Sequence, residues 1–156
     1  MEASVINSKS FLARMKSWSR AELMSPFIVG GNCCTRELAR LSGPNPQAAN
    51  IREDLIDNKA AGSCDVLIVS GVINEKSQAY LSELYESLME PRYVMAVGMC
   101  TASGALFETI PLDSFLPVDI YIGGCPPTLE SLIAGIEKMR SMVRRGEGQR
   151  EIHAQA

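Results

Sequence analysis

Asp65-Val66-Leu67-Ile68-Val69-Ser70-Gly71 is the stretch that decides the fold class. Its run Val66 to Val69 is apolar without alternation, so both faces of the strand it forms need cover, and a Ser-Gly pair closes it. Three further runs have the same form. Pro26-Phe27-Ile28-Val29 ends at Gly30-Gly31, Tyr93 to Val97 ends at Gly98, and Val118 to Ile122 ends at Gly123-Gly124. Between and after them lie helical patterns: Cys33 to Leu41, stopped by Ser42-Gly43-Pro44-Asn45-Pro46; Gln47 to Asn58; Glu75 to Met89; and Thr128 to Val143, with Leu129, Leu132, Ile133, Ile136, Met139 and Val143 on one stripe. Doubly buried strands alternating with helices predict an α/β domain, a parallel sheet of about four strands with helices on both faces. The strand order is not legible from one sequence.

Around this core the chain divides into three parts. Residues 1–24 read as an N-terminal helical arm, with Phe11, Leu12, Met15 and Trp18 at helical spacing. Residues 25–143 form the domain. Residues 144–156, opening on Arg144-Arg145-Gly146-Glu147-Gly148, read as a mobile C-terminal tail. The 156 residues are one domain's worth of chain, and a hydrophobic fraction of 46% supplies a core, which excludes a disordered class. The formal net charge is -3, so no global field favours nucleic acid. Glu2, Lys9, Arg14, Lys16 and Arg20 leave no room for the apolar centre of a signal peptide. Nowhere does an uncharged apolar run reach the ~18 residues of a membrane span.

The cysteines carry the functional signal. Without a secretory route, five of them do not read as a disulfide framework. Cys33 and Cys34 follow the first strand, Cys100 the third and Cys125 the fourth. All four therefore lie beyond the carboxyl ends of strands, where open α/β sheets bind ligands. Cys64 precedes the second strand, at the opposite edge, ~16 Å away for a strand of about five residues. The bland alternative treats each thiol as a small buried hydrophobe. Four at equivalent topological positions point instead to iron–sulfur or zinc. Short zinc motifs take cysteines in pairs roughly two to four residues apart, and none occurs here. Adjacent Cys33-Cys34 reach two irons of a cubane more readily than one small ion, and four thiolates match [4Fe-4S] ligation. Pro126 after Cys125 and the glycines before the thiols fit that reading, since glycines let backbone N–H groups approach sulfur. A thiol enzyme would need a base beside its cysteine, and the one histidine, His153, sits in the tail.

An ordered set of motifs then carries a resemblance: Cys33-Cys34-Thr35-Arg36-Glu37, Asp65 to Gly71, Glu90-Pro91-Arg92-Tyr93-Val94, Gly98-Met99-Cys100, and Pro117-Val118-Asp119-Ile120-Tyr121-Ile122-Gly123-Gly124-Cys125-Pro126-Pro127-Thr128. Over roughly Pro26 to Arg140 the chain resembles the small cluster-carrying B subunit of respiratory complex I. It also resembles the related small subunit of membrane-bound, energy-converting [NiFe] hydrogenases. The resemblance implies a flavodoxin-like fold and one [4Fe-4S] cluster at the interface with a large catalytic subunit. It implies Cys33, Cys34, Cys100 and Cys125 as ligands and leaves Cys64 outside the set. Glu37 matches an acid that takes part in proton transfer in the hydrogenase branch; its bland reading is a solvated or capping glutamate in the first helical turn.

Adjacent Cys33-Cys34 favours the complex I branch, because hydrogenase small subunits carry Cys-x-x-Cys. The stretch Thr101 to Gly124 looks shorter than in complex I subunits and lacks their Tyr/Ser-rich, basic loop, and Ser42 to Asn50 lacks the usual Tyr/Phe-Asp pattern. The expectation is an electron-transfer subunit of a complex I-like membrane oxidoreductase, not catalytic alone, whose terminal acceptor differs from a standard quinone. The implied partners are a large catalytic subunit, a ferredoxin-like cluster subunit and membrane subunits, with no nucleic acid. The implied place is the cytoplasmic side of a membrane, held peripherally by those partners. The alternatives are the proximal-cluster subunit of a [NiFe] hydrogenase and a cluster-free flavodoxin-like scaffold. The edge carrying Cys33, Cys100 and Cys125, with apolar Met99, Leu106, Phe107, Ile110 and Leu112, is expected to be covered by the large subunit.

Overall fold

The computed structural model describes residues 24–42, 61–104 and 109–147. The expected N-terminal arm, the expected helix Gln47 to Asn58, Leu106, Phe107 and the chain beyond 147 lie outside the described residues. Four strands, β1 (Pro26–Gly30), β2 (Val66–Ser70), β3 (Tyr93–Val97) and β4 (Ile120–Ile122), form one parallel sheet in the order β1-β2-β3-β4. The register pairs Gly30 with Ser70, Ser70 with Val97 and Val97 with Ile122, so the carboxyl ends of all four strands finish level. β2 and β3 are buried at every residue, as their unbroken apolar sequences require.

Each face of the sheet has its own core. On one face Val66, Ile68, Met95, Val97, Ile120 and Ile122 pack under α1 (Asn32–Ala39) and α4 (Leu129–Arg145), which contribute Cys34, Leu38, Leu132, Ile136 and Met139. On the other, Leu67, Val69, Val94 and Ala96 pack against Leu81, Leu84 and Leu88 from α2 (Glu75–Ser87) and its end, and against Leu112, Leu116 and Val118. No helix among the described residues is long and apolar enough to cross a membrane.

Local chemistry sets the boundaries. Asn74 caps α2: its side chain accepts from the Ser77 N–H while the Ser77 side chain accepts from the Asn74 N–H. α2 stops at Ser87, two residues before the expected Met89, because Leu88 is extended and the Met89 N–H turns away to the Cys64 carbonyl. Thr128 caps α4 through the Ser131 N–H, and α4 runs to Arg145 before Gly146, at φ +68, ends it. Cys33 to Leu41 resolves into α1 followed by a 3₁₀ turn at Arg40–Ser42. Strand β4 begins at Ile120 rather than Val118. At its entrance the Asp119 N–H donates to the Val94 carbonyl, and the Asp119 carboxylate accepts the Val94 N–H at 2.9 Å, so a side chain makes half of that pairing. The short helix α3 (Met99–Ser103), held between Gly98 and Gly104, has no expected counterpart, since five residues are too few to show a period.

Candidate metal centre

Glycines at the carboxyl ends of the strands bring the thiol-bearing segments together. The Gly98 N–H donates to the Ile122 carbonyl at 2.8 Å and the Met99 N–H to the Gly124 carbonyl at 3.0 Å, fastening the turn after β3 to the turn after β4. That places Cys100, in α3, beside Cys125. Thr101, fully buried, donates its hydroxyl to the Gly71 carbonyl at 2.9 Å and ties α3 to the end of β2. Gly98 has φ +89, and a Cβ built on it would lie 2.6 Å from Cys34 Sγ. The Cys34 sulfur therefore rests on the bare backbone at the end of β3, although its own helix follows β1.

The four sequence-predicted thiols gather at this edge. Cys34 is buried, Cys100 is intermediate, and Cys33 and Cys125 are exposed. Burial, then the charge and hydrogen bonding of Cys33, then Cys100 and Cys125, push the Cys34 thiol up to about 11. Burial, then Cys125 and Cys33, also raise the Cys100 thiol. Cys34 is thus within electrostatic reach of Cys33, Cys100 and Cys125, and Cys100 within reach of Cys125 and Cys33. Among the described residues, no three His, Cys, Asp or Glu side chains close on the point one metal ion would take. A cubane attaches its four thiolates to four different irons, so its ligands surround a volume rather than share a point.

Cys64 falls where the sequence puts it, at the opposite edge. It is fully buried in the second core, its Sγ directed at the Pro26 carbonyl at 3.8 Å. Glu37 lies in the second half of α1, not in its first turn, so the capping reading is overturned. Its carboxylate pairs with Arg40 at 2.7 Å and lines a cleft of about 410 Å³ with Pro126, Pro127, Thr128, Leu129 and Glu130. Glu37 thus lies against the Pro126-Pro127 turn that follows Cys125. Arg40 went unnoticed in the sequence, although its i,i+3 spacing from Glu37 was the available signal.

The expected apolar rim is corrected in part. Leu112 is fully buried and Ile110 packs against the same core, their segment folding back under the sheet where the Ile110 N–H donates to the Ile73 carbonyl. Met99 is 42% exposed beside the thiols, and Val72, after β2, is equally exposed.

Residues 32–139 match the family described as NADH ubiquinone oxidoreductase, 20 Kd subunit. The chloroplastic NAD(P)H-quinone oxidoreductase subunit K of Lupinus luteus is 33% identical over 150 residues, 92% of this chain and 66% of that protein. The counterpart from Draba nemorosa is 34% identical over 137 residues, 84% of this chain and 60% of that protein. The chain thus spans somewhat under two thirds of the length of these relatives. Among solved structures, a chain of the membrane-bound sulfane sulfur reductase, an archaeal respiratory membrane complex, superposes with a TM-score of 0.69 at 25% identity, covering 86% of this chain and 77% of that one.

Proposed function

The chain belongs to the NADH ubiquinone oxidoreductase 20 kDa subunit family, and from that premise we propose that it is an electron-transfer subunit of a complex I-like membrane oxidoreductase. Cys33, Cys34, Cys100 and Cys125 hold one [4Fe-4S] cluster, which supplies one-electron transfer. The observation that carries this reading is the convergence of four thiols from three separate segments, α1, α3 and the turn after β4, on one sheet edge, with the Cys34 sulfur seated where Gly98 has no Cβ. The donor set is all sulfur, as such a cluster requires. The chain's own part is to bury Cys34, fasten the β3 and β4 turns together and keep Cys33 and Cys125 at the surface, where a partner can approach.

The exposure of Cys33 and Cys125 supports cover by a partner at this edge. A large catalytic subunit covers the edge with Met99 and Val72, a ferredoxin-like cluster subunit delivers electrons, and membrane subunits hold the assembly peripherally at the cytoplasmic side. The test is anaerobic purification of the assembled complex, with iron and sulfide analysis and EPR of the reduced form. About four irons assignable to this chain, with a [4Fe-4S] signal, is the expected result; an iron-free chain would instead mark it as a scaffold.

A second reading concerns the acceptor alone. The similar solved chain comes from a complex named as a sulfane sulfur reductase, not as a quinone enzyme. With the short Thr101 to Gly124 segment, this supports a terminal acceptor other than a standard membrane quinone.

A further inference from the structure

Thr101 is the one buried side chain of α3, the short helix that carries Cys100, and it is polar. Its hydroxyl donates to the Gly71 carbonyl at 2.9 Å, so the inward anchor of this helix is a hydrogen bond to a turn that holds no thiol. The other ties of α3 lie at its ends. The Gly98 and Met99 N–H groups reach the Ile122 and Gly124 carbonyls, the Gly104 N–H returns to the Cys100 carbonyl, and the Thr109 hydroxyl reaches that same carbonyl at only 3.4 Å. Neighbouring residues of a helix point about 100° apart. The rotation that keeps the Thr101 hydroxyl on Gly71 therefore also fixes the direction of Cys100.

The acceptor turn leads back to the other thiols. Gly71 has φ +97, and a Cβ on it would lie 3.2 Å from the Gly31 carbonyl oxygen and 3.5 Å from the Gly31 nitrogen. Gly31 caps α1 and stands two residues before Cys33. One position before Gly71, the Ser70 hydroxyl lies 3.0 Å from that of Thr35, which ties α1 to the same strand end. The turn after β2 is thus a spacer. It packs on the segment carrying Cys33 and Cys34, and its carbonyl holds the helix carrying Cys100. The segments of Cys100 and Cys125, by contrast, are fastened to each other by backbone bonds.

We propose that Thr101 is a positioning residue for the cluster: through Gly71 it sets Cys100 relative to Cys33 and Cys34 and so retains the iron that Cys100 ligates. The inference rests on the cluster assignment above. Each iron of a cubane takes one thiolate, so a thiolate turned out of place loses its own iron first. Without the Thr101 hydroxyl the Gly71 carbonyl loses its donor, and α3 is free to turn about its axis.

The test uses the assembled complex, purified anaerobically, with iron analysis and EPR of the oxidised and reduced forms. Thr101→Val keeps the shape of the side chain and removes the hydroxyl. It is expected to behave as though the Cys100 thiolate were missing, with loss of about one iron in four and a three-iron signal in the oxidised form. Thr101→Ser keeps the donor and is expected to retain all the irons. Leu84→Val, a cavity in the second core, controls for stability alone and is expected to lower the melting temperature with the cluster intact. Should the valine variant not assemble, Thr101→Ala read against Thr101→Ser decides the same question. A lowered melting temperature in Thr101→Val with all irons retained, loss of all the irons together, or the same selective loss in Leu84→Val would show a structural anchor only and overturn the proposal. A complex whose unaltered chain gives no iron–sulfur signal would instead overturn the cluster assignment beneath it.

Discussion

Gly98 and Cys34 share a space that no other residue at position 98 would leave open: a Cβ there would meet Cys34 Sγ at 2.6 Å, and φ is +89. The contact joins the end of β3 to the helix after β1, skipping β2. It converts a separation of 64 positions in sequence into van der Waals contact at the site.

Gly98→Ala tests that contact. The left-handed backbone alone costs about 1–2 kcal/mol for a residue with a Cβ, and the clash pushes the sulfur off its seat. The expected outcome is a lowered melting temperature together with loss of most of the iron per chain in the purified complex. Full iron content with an unchanged EPR spectrum would show that the Cys34 position tolerates displacement.

Ligation separates the cysteines by sheet edge. Cys100→Ala or Cys125→Ala should abolish or convert the [4Fe-4S] signal, because one iron loses its thiolate. Cys64→Ala should leave the spectrum intact and lower stability by on the order of 1 kcal/mol, since it removes a fully buried sulfur from the second core. EPR and thermal unfolding of the three variants read both effects, and loss of the signal in Cys64→Ala would contradict the assignment.

Much of this was legible in the sequence, and the reason is topological. Unbroken apolar runs at Val66 to Val69 and Tyr93 to Val97 can only be doubly covered strands. In a parallel sheet a residue's place before or after its strand fixes its edge, so the separation of Cys64 from Cys33, Cys34, Cys100 and Cys125 needed no coordinates. What the sequence hid depends on side chains replacing backbone. Asp119 mimics a strand residue with its carboxylate, shortening β4. Ile110 and Leu112, read as a rim, belong to the core because their segment turns back under the sheet. The Thr35–Ser70 pairing joins residues 35 positions apart and leaves no periodic trace.

Metal removal should expose the thiol chemistry of the site. The folded chain holds Cys34 at about 11, above its ordinary value of 9.0, so folding favours the neutral thiol. Its contribution to stability is fully present below about pH 9 and is lost as the pH rises through about 11, because between those values the folded state binds the extra proton. Cluster assembly has the opposite sign: it must expel that proton, so the apparent affinity for iron and sulfide rises with pH. Alkylation of the metal-free chain at pH 8, followed by mass spectrometry, should label exposed Cys33 and Cys125 first and Cys34 far more slowly. Equal labelling rates for Cys33 and Cys34 would contradict the burial that raises the Cys34 thiol.

The terminal acceptor is the last property to be tested, and it needs the whole complex. Adjacent Cys33-Cys34 places the chain with the complex I branch, in which the relatives are named quinone oxidoreductases. The segment after Cys100 nevertheless tucks Leu112 into the core. The similar solved chain belongs to a complex named as a membrane-bound sulfane sulfur reductase. The expected outcome is therefore slow reduction of quinone analogues by the purified, reduced complex, insensitive to quinone-site inhibitors, and faster turnover with a non-quinone acceptor such as a polysulfide. Rapid, inhibitor-sensitive quinone reduction would sink the unusual-acceptor reading while leaving the cluster assignment untouched, and hydrogen evolution from reduced ferredoxin would move the assembly to the hydrogenase branch.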